Sequence, residues 1–176
     1  IEGMVAACRY ARENNIPYLG LCLGMQISVI EYARDVAGIP DANSREFDEN
    51  GKHLVIDLME EQMRIVRKGG TMRLGAYPCK IVKGTMLERA YGQRQVNERH
   101  RHRFEFNNEY REQFEKAGIV CSGENTDTGL VEIIELPKNK FYLGTQFHPE
   151  YSSTVLHPSP LFVSFIKTII RKKKKN

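Results

Sequence analysis

Hydrophobic positions change period several times along this chain, and each change marks an element. Val5, Ala6, Cys8, Ala11 and Arg12 fit one face of an opening helix through Asn15, which Ile16-Pro17 breaks. Tyr18-Leu19-Gly20-Leu21 is a short apolar run that reads as a buried strand. Apolar residues at Met25, Ile27, Val29, Ile30 and Ala33 predict a helix over 23–37, ended by Gly38 and Pro40. The polar stretch 41–52, rich in Asn, Asp and Gly, predicts a loop. Strands are expected over 53–58 and 72–82, on either side of Gly69-Gly70, and a short helix over 84–91. Strict alternation over 98–107 reads as a further strand, and 108–117 as a helix with Gly118 just past its end. Strand-like runs follow at 119–122, 130–136 and 141–147, and a helix over 158–170 closes the pattern. Helices and strands alternate early and strands cluster late. That order predicts an α/β domain with a largely parallel central sheet and an antiparallel addition.

Composition narrows the class. At 176 residues, with 41% hydrophobic and 27% charged residues, the chain reads as one globular domain with a substantial core. It shows no internal repeat and no Pro/Ser-rich linker. No run approaches the roughly 18 apolar residues of a membrane span, and no basic-then-apolar leader opens it, so the expected location is the cytoplasm. The net charge of +4 comes from 26 Lys and Arg against 22 Asp and Glu. Five of the positive charges, Arg171 to Lys175, stand together in the tail, and setting them aside leaves 21 against 22. The expected division is a domain over 1–170 and a solvated basic tail over 171–176, with no nucleic-acid or membrane partner. Of Cys8, Cys22, Cys79 and Cys121, no two form a C-x-x-C pair, and no metal-ligand set is visible.

Cys22 stands out among them. Gly20-Leu21-Cys22-Leu23-Gly24 has the form G-x-C-x-G between a predicted strand and a predicted helix. The serine version is a nucleophile elbow, a strained strand-to-helix turn that exposes its central side chain. Glycines on both sides are expected because neighbouring side chains would collide in so tight a turn. A cysteine there sits at a helix N-terminus, where the dipole favours thiolate, and the N–H of Leu23 faces the place where an oxyanion would form. The same pentapeptide also suits a buried structural cysteine between packing glycines, and the pattern alone leaves both readings open.

A thiolate enzyme needs a histidine and a group to hold it. His148-Pro149-Glu150 follows the apolar run 142–147 and so lies at a strand end. Pro149 biases His148 towards extended geometry, in which Glu150 shares its side and reaches its ring. A surface His and Glu on an ordinary loop is the plainer alternative. His53 and His157 have no carboxylate at short range in sequence, and His100 and His102 lie among arginines that disfavour an imidazolium. In that strand Arg99, Arg101, Arg103 and Asn107 share one face, and His100, His102, Phe104 and Phe106 the other. The arginine face suits solvent or ion pairs, a substrate carboxylate, or less readily a nucleic acid.

Taken together, these residues resemble the class I (triad) glutamine amidotransferases, and within them the glutaminase domains of CTP synthases. Five segments carry the resemblance: Leu21 to Gln26, Ala42 to Phe47, Gly69 to Gly75, Glu98 to Asn107 and Gln146 to Tyr151. The first and last are shared by the wider class. The resemblance implies a flavodoxin-like domain in which Cys22 is the nucleophile, His148 the base and then acid, and Glu150 its orienter. It also implies that Leu23, Gln26, Glu46, Arg103 and Phe104 hold L-glutamine. The residue types agree, since Glu46 can pair the ammonium of a free amino acid and Arg103 its carboxylate. Arg101 is expected to be structural or at a domain interface.

The implied reaction is hydrolysis of glutamine through a cysteine thioester. The ammonia feeds an ATP- and magnesium-dependent amination of UTP to CTP in a synthetase domain of the same full-length enzyme, with a homo-tetramer as the implied assembly. GTP is the implied activator, with Arg73 a candidate to bind it or relay its effect. No cofactor is implied in this domain. The resemblance places a second oxyanion donor on a glycine-rich loop before the opening helix. The only Gly-Gly here is Gly69-Gly70, so the expectation is that this N-terminal part is missing. Two other readings are a γ-glutamyl hydrolase-like cysteine hydrolase and a catalytically silent domain for regulation or assembly.

Overall fold

The computed structural model describes residues 1–58 and 72–173. Its order is α1 (Glu2–Glu13), β1 (Tyr18–Leu21), α2 (Leu23–Asp35), β2 (Ala42–Ser44), β3 (His53–Asp57), β4 (Arg73–Ile81), α3 (Met86–Tyr91), β5 (Gln95–His102) and β6 (Glu105–Phe106). A 3-10 turn (Asn108–Tyr110), α4 (Arg111–Ala117), β7 (Val120–Asn125), β8 (Val131–Glu135), β9 (Tyr142–Thr145), a second 3-10 turn (Pro149–Tyr151) and α5 (Pro160–Lys173) follow.

Six strands form one sheet in the order β1-β9-β8-β7-β4-β5, and β2-β3-β6 form a second. The α/β class holds, but strand direction departs from expectation. Among the described residues only β1 and β9 run parallel in the large sheet; its other four pairings are antiparallel. A parallel pair needs a long crossover. Here β7, β8 and β9 follow one another through short turns, and short turns dictate antiparallel neighbours.

Two apolar clusters hold the layers. The first joins α1 and α2 to the sheet through Val5, Cys8, Met25, Ile30, Ile134 and Tyr142. The second, with Leu87, Leu143, Phe147 and Leu161, packs α3 and α5. Residues 25–33 of α2 are all buried, so this helix runs through the interior rather than over it. Its buried Glu31 is met by Arg12 of α1 at 2.6 Å, so the charge is not left alone in the core.

Two stretches differ from the sequence pattern in ways that shape the site. The expected loop 41–52 contains β2, which pairs with β3 and whose buried Ser44 carries the following turn. The expected strand 98–107 breaks at Arg103-Phe104. Its first part forms the end of β5, which pairs with β4, and Glu105-Phe106 cross to β3 in the other sheet. Alternation of buried and exposed positions is regular through His102 and then stops, because Glu105 and Phe106 are both buried. Gly69-Gly70 and residues 174–176 of the tail lie outside the described residues.

Candidate active site

Cys22 links β1 to α2 with φ 50° and ψ −103°, outside the regions open to ordinary L residues. Its N–H donates to the Thr145 carbonyl at 2.7 Å, which ties the turn to the end of β9. Strain of this kind costs about 1–3 kcal/mol and persists only where the surroundings enforce it. Gly20 is one enforcer. A Cβ there would lie 2.7 Å from the backbone carbon of Gly24 and from the Tyr18 hydroxyl. Gly24 is different, since a Cβ on it would meet only the Tyr18 hydroxyl, at an ordinary 3.6 Å. The expected need for glycine on both sides holds for Gly20 alone. Tyr18 locks the corner by donating to the Gly24 carbonyl at 2.7 Å while it stacks on Tyr142.

In front of this corner is a cavity of about 420 Å³ lined by Cys22, Leu23, Gln26, Glu46, Met72, Arg101, His102, Arg103 and Phe104. All five residues expected to hold glutamine line it with Cys22. Each arrives for a local reason. Gln26 is one turn into α2 and donates from Nε2 to the Phe104 carbonyl (2.9 Å) and to Gln146 Oε1 (3.2 Å). The break after β5 is what turns that carbonyl towards Gln26. Ser44 shapes the turn that presents Glu46, accepting from the N–H groups of Glu46, Phe47 and Asp48, and the Arg45–Asp57 ion pair anchors it to β3. Arg101 also lines the cavity, because it shares the exposed face of β5.

His148 and Glu150 stand at the end of β9, next to the strand that delivers Cys22, and are not among the residues lining the cavity. His148 Nδ1 lies 2.6 Å from Glu150 Oε1, its ring stacks on Tyr151 at 4.9 Å, and its N–H donates to the Arg99 carbonyl. The pairing expected from the sequence is present, but by another geometry. Pro149–Tyr151 form a 3-10 turn rather than extended chain, and the turn brings Glu150 back to the ring. His148 Nε2 is buried with no hydrogen-bond partner in the protein.

The electrostatics at Cys22 also depart from expectation. Burial pushes its thiol up to about 11; the Leu23 N–H pulls it down, and the carboxylates of Glu105, Glu150 and Glu46 push it further up. The helix N-terminus is favourable, as the sequence suggested, but it is outweighed. Gln146 is a contributor the sequence reading assigned no role. It is fully buried and its amide lies 3.7 Å from Sγ, bridging Gln26 to the sulfur. An amide one residue beyond a buried strand was the available signal.

Arg73 is not placed to bind a nucleotide. It is buried among Glu132 (2.7 Å), Glu105 (3.4 Å) and the ring of Tyr77. His100 and His102 are held neutral, down to about 2 and 3. Burial is the first cause and Arg73 the second; the strand's own arginines point away. Among the described residues no three His, Cys, Asp or Glu side chains converge as metal ligands.

A family profile described as glutamine amidotransferase class-I matches residues 1–168. The chain belongs to the class I glutamine amidotransferases. Within this family it is 61% identical over 172 residues to a CTP synthase of Bacteroides fragilis, covering 98% of the chain and 32% of that protein. It is 57% identical over 176 residues to one from Caldanaerobacter subterraneus, covering all of the chain and 33% of the relative. The chain thus spans about a third of the length of the curated relatives it matches. Among solved structures, the glutaminase domain of Trypanosoma brucei CTPS with bound acivicin superposes with a TM-score of 0.89 at 40% identity. That match covers 97% of this chain and 66% of the other. No helix among the described residues is long and apolar enough to cross a membrane.

Proposed function

We propose that this class I glutamine amidotransferase is the glutaminase part of a CTP synthase. The observation that carries the reading is the cavity. A strained cysteine, a carboxylate, Glu46, and a guanidinium, Arg103, line it together, in a chain 61% identical to a CTP synthase. Glu46 and Arg103 pair the α-ammonium and α-carboxylate of L-glutamine and leave the side-chain amide pointing at the sulfur.

In this mechanism His148 takes the Cys22 proton as sulfur attacks the amide carbon. The high position of the free thiol makes a base necessary rather than helpful. Glu150 holds the ring and stabilises the imidazolium. The oxyanion faces the N–H of Leu23. His148 returns its proton to the nitrogen, ammonia leaves, and a γ-glutamyl thioester remains on Cys22. Water, deprotonated by His148, attacks the thioester; glutamate leaves and the thiol is restored. The sum is glutamine plus water to glutamate plus ammonia.

The ammonia then aminates UTP in the synthetase part of the full-length protein, which would bind ATP, magnesium and UTP and assemble as a homo-oligomer in the cytoplasm. GTP remains the proposed activator, but buried Arg73 is withdrawn as its contact. Glu46 and Arg103 favour a free amino acid over the γ-glutamyl peptide of a hydrolase, and the intact Cys22, His148 and Glu150 set speaks against a silent domain.

The test is the nitrogen source of the full-length protein. Cys22→Ala should abolish glutamine-driven CTP formation, by 10³-fold or more on the order seen when such nucleophiles are removed, and keep ammonia-driven formation. Loss of neither, or of both in a folded variant, contradicts the reading.

A further inference from the structure

Beside the cavity, and reaching it through His102, lies a cluster the proposed chemistry does not use. Arg73, His100, His102, Glu105 and Glu132 are each at most 8% exposed. With both histidines neutral, one cation faces two carboxylates, and an excess negative charge in so dry a place is expensive unless a proton neutralises it. Where that proton sits follows from donors and acceptors.

The Phe104 carbonyl can only accept, and His102 Nδ1 lies 3.1 Å from it, so Nδ1 carries the hydrogen and shares it with Glu105 Oε1 at 3.4 Å. His102 Nε2 is then a bare acceptor. Its partner at 2.8 Å, His100 Nδ1, must be a donor. His100 Nε2 is in turn bare, and the group beside it at 3.2 Å is Glu132 Oε2. A ring N–H is fixed in the imidazole plane, and this contact is not in line for one. A carboxyl O–H swings about its C–O bond and reaches the ring nitrogen. Arg73 lies 2.7 Å from Glu132 and 3.4 Å from Glu105 and opposes protonation of both, so it does not choose between them.

We propose that Glu132 carries the cluster's proton and, through His100 and His102 held as Nδ1–H tautomers, fixes the Phe104 carbonyl that anchors Gln26 in the cavity floor. Glu132, His100 and His102 are then positioning residues for the glutamine site, a role that rests on the function proposed above. Burial lifts both carboxyls, Glu105 to about 8 and Glu132 to about 7, with Arg73 opposing. Burial by itself leaves the proton on Glu105. In that arrangement both rings are Nε2–H, and the lone pair of His102 Nδ1 faces the Phe104 carbonyl at 3.1 Å. The hydrogen-bond directions decide for Glu132.

Neutron diffraction from deuterium-exchanged crystals of the full-length protein at neutral pH tests the protonation directly. Deuterium on Nδ1 of His100 and His102 and on a Glu132 oxygen is expected; deuterium on Nε2 of either ring overturns the proposal, whatever reaction the protein performs. The positioning role is tested by a pair of near-isosteres. Glu132→Gln keeps a donor towards His100 and an acceptor towards Arg73, whereas Glu132→Met keeps neither. Among folded variants, the Met form should raise KM for glutamine about tenfold relative to the Gln form, the scale of one lost buried hydrogen bond, with kcat within a few-fold. Equal KM values for the two overturn the role. A parent protein with no glutamine hydrolysis would instead sink the proposed function and leave the deuterium positions to judge the tautomers.

Discussion

Cys22 shows two local effects in opposition, and their sizes decide its state. The helix start and the Leu23 N–H favour a thiolate, yet burial and three nearby carboxylates lift the thiol to about 11. Only the thiolate reacts with an alkylating agent. Alkylation of Cys22 by iodoacetamide, followed by peptide mass spectrometry, should therefore accelerate about tenfold per pH unit from pH 7 to 10 and level near 11. A rate already flat above pH 8 would show a thiol acidified in the free protein. Gln146 belongs to the same scale, since its amide next to sulfur was invisible to any pattern of charge or period.

At the scale of elements, the strand-turn-helix around Cys22 was legible because its signals are local: an apolar run, glycine, a sharp change of period. The two glycines, alike in sequence, are unlike in the fold. Gly20→Ala puts a methyl into Gly24 backbone and should cost about 1–3 kcal/mol, the range for overpacking. Gly24→Ala, in the first turn of α2 with room for a methyl, should leave the melting temperature equal or higher, since alanine favours helix by about 1 kcal/mol. Thermal melts of the two variants side by side check this; equal losses would contradict the packing. The break at Arg103-Phe104 was not legible. Alternation continues through it in the sequence, and it arises because β5 and β6 find partners in different sheets. The direction of β4 escaped for the same reason: short connections dictate antiparallel pairing of β7, β8 and β9, but the pairing of β4 with β5 and β7 is a non-local choice.

For the whole molecule, the site is assembled from three distant segments. The elbow near residue 22, the turn at 46 and the broken strand at 103 meet around one cavity, while 148–150 docks beside them through β9. Residue types announced these groups, but only the topology brings them together: the parallel pair β1-β9 sets His148 beside Cys22, and β3, pairing with both β2 and β6, gathers the turn at 46 and the break at 103. The extended geometry expected for His148 to Glu150 was wrong in form and right in outcome, because a 3-10 turn closes the same distance. The central claim is that this assembly makes a γ-glutamyl thioester on Cys22. The most direct measurement is an acid quench of the full-length protein during glutamine turnover, followed by mass spectrometry of the Cys22 peptide. The account predicts a γ-glutamyl adduct on Cys22 that hydroxylamine removes and that Cys22→Ala lacks. Turnover of glutamine with no adduct on Cys22, or with the adduct on another residue, would contradict it.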